Sequence, residues 1–232
     1  MPLTFALVIF ELAVMVLSIC LHDSAQAWMA NRLGDPTARM MGRISMNPQK
    51  HFDWFGMVIW PVLFIFQSPL ILGWGKPVTM TPRNFRRPSR DEMVATLAGP
   101  GVQLLAAIVA LILLVILRYV QHDSTLSLVI AGQLAERNLA VPMNNLPAIF
   151  PLYLFLYFCI LVNVLLFVFN LIPLPFLDGG KILMHFLPYN AAKTFEGLSM
   201  WMMIAFFFVG FTVIMMFFAP LMTIFNTMLF TL

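Results

Sequence analysis

Charge is what this sequence has least of: 13 Lys and Arg and 10 Asp and Glu make up 10% of 232 residues, against 61% hydrophobic. With a mean hydropathy of +0.92, that scarcity excludes a soluble domain and requires an integral membrane protein. Cysteine is also scarce. Cys20 and Cys159 both lie inside apolar runs and read as small core residues rather than a disulfide. No basic stretch precedes the first apolar run, and Glu11 interrupts it, so no cleaved signal peptide is expected. The net charge of +3 comes from basic loops and points to no nucleic-acid partner. Internal repeats, low-complexity tracts and a second, soluble region are all missing. The expectation is one polytopic membrane domain over residues 1–232.

Four apolar segments are long enough to cross a bilayer, at about 3–33, 91–119, 151–171 and 198–230. The first runs without Pro or Gly to Leu33 and ends at Gly34-Asp35-Pro36. A mid-span Glu11 must face protein or water, and a buried hydrogen-bonded carboxyl is the plain reading. Between the first two spans, residues 37–90 carry a further apolar insert from Trp54 to Trp74, broken by Pro61, Pro69, Gly73 and Gly75. Four basic residues precede this insert (Arg32, Arg39, Arg43, Lys50) and five follow it (Lys76, Arg83, Arg86, Arg87, Arg90). A crossing would put these two groups on opposite membrane faces, so the insert reads as re-entrant. Arg43–Met46 and Pro77–Met80 read as short strand segments. Residues 120–149, with His122, Glu136 and Arg137, read as a polar outer loop. The fold class expected is an all-α integral membrane protein of about four to five transmembrane helices with a re-entrant, short β-strand insert. With the N-terminus outside, eleven of the thirteen basic residues face the cytoplasm.

The chemistry-bearing stretch is Ser18 to Asp35, at the inner end of the first span. His22 and Gln26 stand four apart with Asp23 between them, the layout of H-E-x-x-H with its acid shortened and its second imidazole replaced. On a helix, i and i+4 share a face and can hold one metal, and the residue after the first can act as base toward a metal-bound water. The plainer alternative is a histidine hydrogen-bonded to nearby backbone. Asp178 follows Pro173 and Pro175 and precedes Gly179-Gly180, at a helix break just past the inner end of the third span. It is either the N-cap of the next helix or a carboxylate aimed inward at His22's depth.

These stretches resemble the site-2 proteases, intramembrane zinc metalloproteases, over nearly the whole chain. Members carry H-E-x-x-H on one core helix and N-x-x-P-x-x-x-L-D-G at the end of another, and here Asn170, Pro173, Leu177, Asp178 and Gly179 fit the second pattern. Arg32–Arg39, Gly42-Arg43 before Asn47-Pro48, Gly73–Val78 and Ala98-Gly99-Pro100 are similar to bacterial members of a short type. The resemblance implies a zinc cofactor held by His22 and Asp178, with Gln26 at the place of the missing third ligand and Asp23 at that of the glutamate base. Gln103 stands where many members have Asn. By the same resemblance Asn163, Asn170, Gly99, Pro100 and Gln103 are expected to be substrate-contacting or structural positions.

It also implies regulated cleavage of transmembrane segments of client membrane proteins, within a bacterial inner membrane and with the metal end toward the cytoplasm. The departures argue for reduced or lost activity. An amide is a poor zinc ligand beside imidazole. A carboxylate short by about an ångström can cost roughly 100-fold in rate. His51 or His185 could stand in as a ligand. The rival expectations are an inactive pseudoprotease that binds client helices, and a small ion or proton channel through Glu11, His22, Asp23 and Asp178.

Overall fold

Pro2–Leu33 contains no glycine and no proline after its first residue, so nothing interrupts the helix, and it forms one 32-residue helix, α1. At 1.5 Å per residue α1 is about 48 Å long, more than a bilayer core needs. It stops at Gly34, whose φ of +115° only glycine adopts readily. Beyond it, Asp35 is fully buried. Its Oδ1 accepts from the Thr37 N–H at 3.1 Å and the Asn84 amide at 2.9 Å, and its Oδ2 from the Thr81 N–H at 2.7 Å. This one carboxylate ties the end of α1 to a segment almost 50 residues later. Burial raises the Asp35 pKa, but these bonds outweigh it and hold the carboxyl below the usual carboxylate range.

The computed structural model describes residues 2–65, 70–121, 124–143 and 146–231. Pro69 of the insert and His122 of the expected outer loop lie outside these. After α1 come two single turns, α2 (Thr37–Met40) and α3 (Pro48–His51), then a π-helical turn over Phe55–Ile59 that continues into α4 (Trp60–Ile65). Residues 70–81 return beside α1 without regular secondary structure. The Lys76 N–H donates to His51 O at 2.9 Å, that of Trp74 to Gly56 O at 3.3 Å, and that of Ile71 to the Glu11 carboxylate at 2.7 Å. The insert therefore leaves α1 at Asp35, climbs to the level of Glu11, about 18 Å along the helix from Asp23, and comes back to Asp35. Both its ends lie at the same end of α1. No strand forms among the described residues. Arg43–Met46 and Pro77–Met80, expected as strand segments, are irregular; in the first, the Ser24 hydroxyl of α1 bonds both the N–H and the carbonyl of Ser45 in place of a neighbouring strand.

A 3₁₀ turn at Pro82–Asn84 leads into α5 (Pro88–Val120), which contains Pro100. Residues 124–135, expected within a polar loop, instead form α6 (Ser124–Ala135). Leu128, Ile130, Ala131 and Leu134 of α6 are buried in the main core, and that burial stabilises a helix that the polar residues flanking it conceal. Next comes α7 (Phe150–Leu171), the most enclosed helix, packed against α1, α5, α6 and α10. After the Pro173 and Pro175 break come α8 (Asp178–Met184), α9 (Tyr189–Gly197) and α10 (Ser199–Thr231). Among the described residues, four helices are long and apolar enough to span a membrane: Leu3–Leu33, Pro88–Val120, Phe150–Leu171 and Ser199–Thr231. The chain is thus a multi-pass, all-helical membrane protein, and its two odd stretches, the insert and the α7–α8 break, meet at one end of α1.

Candidate functional site

α1 carries His22, Asp23 and Gln26 at that end, and the α7–α8 break delivers Asp178 opposite them. The two prolines prevent α7 from continuing, a turn closed by the Leu177 N–H on Leu174 O at 2.9 Å restarts the chain, and Asp178 opens α8. The N-cap is Leu177, with no side-chain cap bond. Asp178 is free of that duty and points inward, 96% of its surface hidden. His22 Nε2 lies 2.9 Å from Asp178 Oδ2. The two atoms are close but out of line: Nε2 is buried with no aligned hydrogen-bond partner. They face a common point rather than each other. Gly99 makes room for this, since a Cβ there would stand 2.3 Å from His22 Nε2.

Gln26 closes the arrangement. Its Nε2 donates to Thr96 O at 3.0 Å and to Asp178 Oδ2 at 2.7 Å. Both partners only accept, so the amide nitrogen, not its oxygen, must sit there. The reason lies in α5: Pro100 has no N–H, which leaves the carbonyl four residues earlier, that of Thr96, without its helical donor. Gln26 supplies it. The second amide hydrogen then falls on Asp178.

Asp23 lines the same cavity, but its oxygens are engaged elsewhere. Its Oδ2 lies 3.0 Å from the Arg43 guanidinium and 3.1 Å from His51 Nδ1, and its Oδ1 lies 3.2 Å from His22 Nδ1. Arg43 also donates to the carbonyls of Lys50 and Lys76, and His51 Nε2 lies 2.6 Å from Ser45 O, so Asp23 anchors both limbs of the insert to α1. Gly75 comes close to the same carboxylate.

The remaining expected residues divide. Asn170 donates to Gln103 at 3.3 Å on the wall of the same cavity, a space of about 150 Å³ shared with His22, Gln26, Asp178, Gly73, Gly75 and Met203. Lys181, which sequence reasoning passed over, reaches Asp178 Oδ1 at 3.0 Å. Burial raises the Asp178 pKa, but the close approach of His22 and the His22 and Lys181 charges outweigh it and hold the carboxyl low. Neither substitute ligand arrives. His51 is bound to Asp23, and His185 lies 3.3 Å from Ser89 Oγ and 3.8 Å from Glu92. Asn163 sits elsewhere, donating to Cys159 O at 2.8 Å. Glu11 is no part of this site: beyond its bond to Ile71, it lies 3.4 Å from Arg137. The helical position of Pro100, which always frees a carbonyl, was the signal that could have located Gln26's partner.

His22 Nε2 and Asp178 Oδ2 are two donors converging as metal ligands do, but the third position presents an N–H. Zinc needs a lone pair there and three protein ligands in all. Among the described residues no three His, Cys, Asp or Glu side chains form a group that could hold a metal. The residues present do not fit zinc.

The family model described as "Peptidase family M50" matches residues 10–212. Over 174 residues, 75% of this chain and 67% of the other, the sequence is 30% identical to "Putative zinc metalloprotease YwhC" of Bacillus subtilis (strain 168). No solved structure matches.

Proposed function

The chain belongs to peptidase family M50, the site-2 protease family, and from that premise we propose that it is a member whose hydrolytic centre has become a hydrogen-bonded cluster and whose remaining task is to hold membrane-spanning clients. One observation carries this reading: the Gln26 amide nitrogen donates at once to Thr96 O and Asp178 Oδ2. A positively polarised hydrogen stands where a ligand lone pair would be required, and it satisfies the very carboxylate oxygen a metal would use.

The base is equally committed. Asp23 sits between Arg43 and His51. Taking a proton from water would cost it those two charge-assisted bonds, so it serves as an anchor and peptide hydrolysis is lost or much reduced. What stays usable is the cavity and residues 73–78 along its wall. These offer backbone groups to a locally unwound segment of a client, in a site that faces the cytoplasmic side of a bacterial inner membrane. Glu11 is held by Ile71 and Arg137, which makes it a strut rather than a stage in an ion path.

The test is a single-span model substrate co-reconstituted with the chain in proteoliposomes. Photocrosslinking from the exposed, cavity-lining position 77 to the substrate without product is expected. Cleavage at a rate matching an intact H-E-x-x-H member of the family would overturn the reading, and so would the absence of crosslinks.

A further inference from the structure

A second concavity, separate from the polar cavity, opens on the other side of α1. Val14, Leu17, Ser18 and Leu21 of α1 form one wall, Ala106, Val109, Ala110 and Leu113 of α5 the other, and Cys159 and Asn163 of α7 lie at the floor, around about 310 Å³. By the 100° step of a helix, Leu17 and Leu21 point about 100–140° away from His22, while Ser18, four residues before His22, stands at the border of the two faces. Ala106 and Ala110 stand four apart, and with Ser18 they let another backbone come close.

Asn163 is 3% exposed. Its Nδ2 is committed to Cys159 O, which fixes the amide orientation, and its Oδ1 is buried with no donor. An unpaired buried carbonyl is costly, more so where lipid chains, which carry no donor, are the surroundings. α10 offers the complement. Only 22% of its most apolar stretch is buried, against 72% for α7. From Met202 to Met222, Thr212 is the one side chain able to donate a hydrogen bond. It is exposed, in line with Phe208 and Met216, which are 77% and 72% exposed. Threonines in helices commonly donate to the carbonyl four residues back. Thr223 and Thr231 of α10 do so at 2.9 and 2.7 Å, whereas Thr212 makes no such bond.

The depths agree. α7 and α10 run antiparallel, pinned by the Phe169–Phe206 ring contact at 5.9 Å and the Tyr157–Asn226 bond at 3.1 Å. Asn163 lies midway between the α7 anchors, and Thr212 six of twenty residues along the α10 interval. Counted from the Phe169–Phe206 contact, each lies six residues, about 9 Å of helical rise, along its helix. A second copy inserted in the same orientation carries its Thr212 at that height.

We propose that the α1–α5 groove receives the lipid-exposed face of α10 from a second copy of this chain, with the partner's Thr212 donating to Asn163 Oδ1. The groove and the α10 face are different patches, so the contact is head-to-tail.

Energy transfer between labelled copies in liposomes, followed as lipid dilutes protein, reads the association. Asn163→Leu and Thr212→Val are each expected to weaken it about 3- to 20-fold, and the double variant no further than either single one. In a background with Cys20 and Cys159 changed to Ala, Leu17→Cys and Thr212→Cys copies are expected to crosslink when mixed. Thr212 faces lipid, so Thr212→Val keeps the test alive if Asn163→Leu fails to fold. Copies that stay monomeric at every dilution would overturn the proposal. So would association that Thr212→Val leaves unchanged, as when Asn163 is satisfied by water or by another protein, and so would a missing crosslink.

Discussion

Asp23 and His22 are neighbours on one turn of α1, yet their surroundings differ completely. Both oxygens of Asp23 are occupied, by Arg43 and His51 on one side and His22 Nδ1 on the other. His22 Nε2 is buried with nothing in line, beside Asp178 and over Gly99. The Asp23 side is a finished structural joint between α1 and the insert. The His22 side keeps the convergence of a ligand pair, closed by an amide hydrogen instead of a metal. In the function proposed above, the acid of the motif serves architecture, while its histidine keeps the geometry of a ligand pair with Asp178.

The sharpest way to break that contrast is Arg43→Ala. Removing one partner of a buried ion pair leaves an uncompensated carboxylate, a loss of about 3–5 kcal/mol, visible as a large fall in thermal midpoint in detergent. A loss no greater than for an exposed arginine such as Arg83 would mean Asp23 is not a joint. Gly99→Ala probes the other side. Its Cβ would collide with His22 Nε2, and overpacking of this kind costs about 1–3 kcal/mol, measured by the same unfolding and by a shift of the His22 imidazole resonances. Lys181→Met should change little, about 0–1 kcal/mol, because Lys181 is over a third exposed and solvent screens the pair. A large loss there would show that its charge holds Asp178 in place.

The smallest effect expected is the acid limb set by Asp35, away from both sides. Its folded pKa lies below its unfolded one. Such a group adds stability above the unfolded pKa and loses it as pH falls through the folded value. Asp35→Asn should therefore flatten the decline of stability below about pH 4 and leave the Asp23 and His22 contrast untouched.

The four spans were legible because apolar length alone defines them, and the common depth of His22 and Asp178 followed from counting basic residues along the chain. α6 was hidden because the polar residues on either side of this twelve-residue helix outweighed its short apolar face, which includes Leu128 and Ile130. The strand segments failed because residues 70–81 pair with side chains and turn carbonyls, a choice local propensity does not encode. Gln26 was readable as a missing ligand but not as a donor, which required knowing that α5 passes close enough for the carbonyl freed by Pro100 to reach it. Arg43, His51 and Lys181 join the site through tertiary contacts alone.

The central claim is that the Gln26 N–H has taken the metal's place, and zinc content tests it most directly. Detergent-purified natural protein, Gln26→His, and Gln26→His combined with Asp178→Ala would be loaded with zinc, desalted and assayed by atomic absorption. The natural chain should retain far less than one zinc, Gln26→His close to one, and the combined variant again little. A natural chain that holds a full equivalent and loses it on Asp178→Ala would contradict the account, since a third ligand would then exist where an amide donor is described.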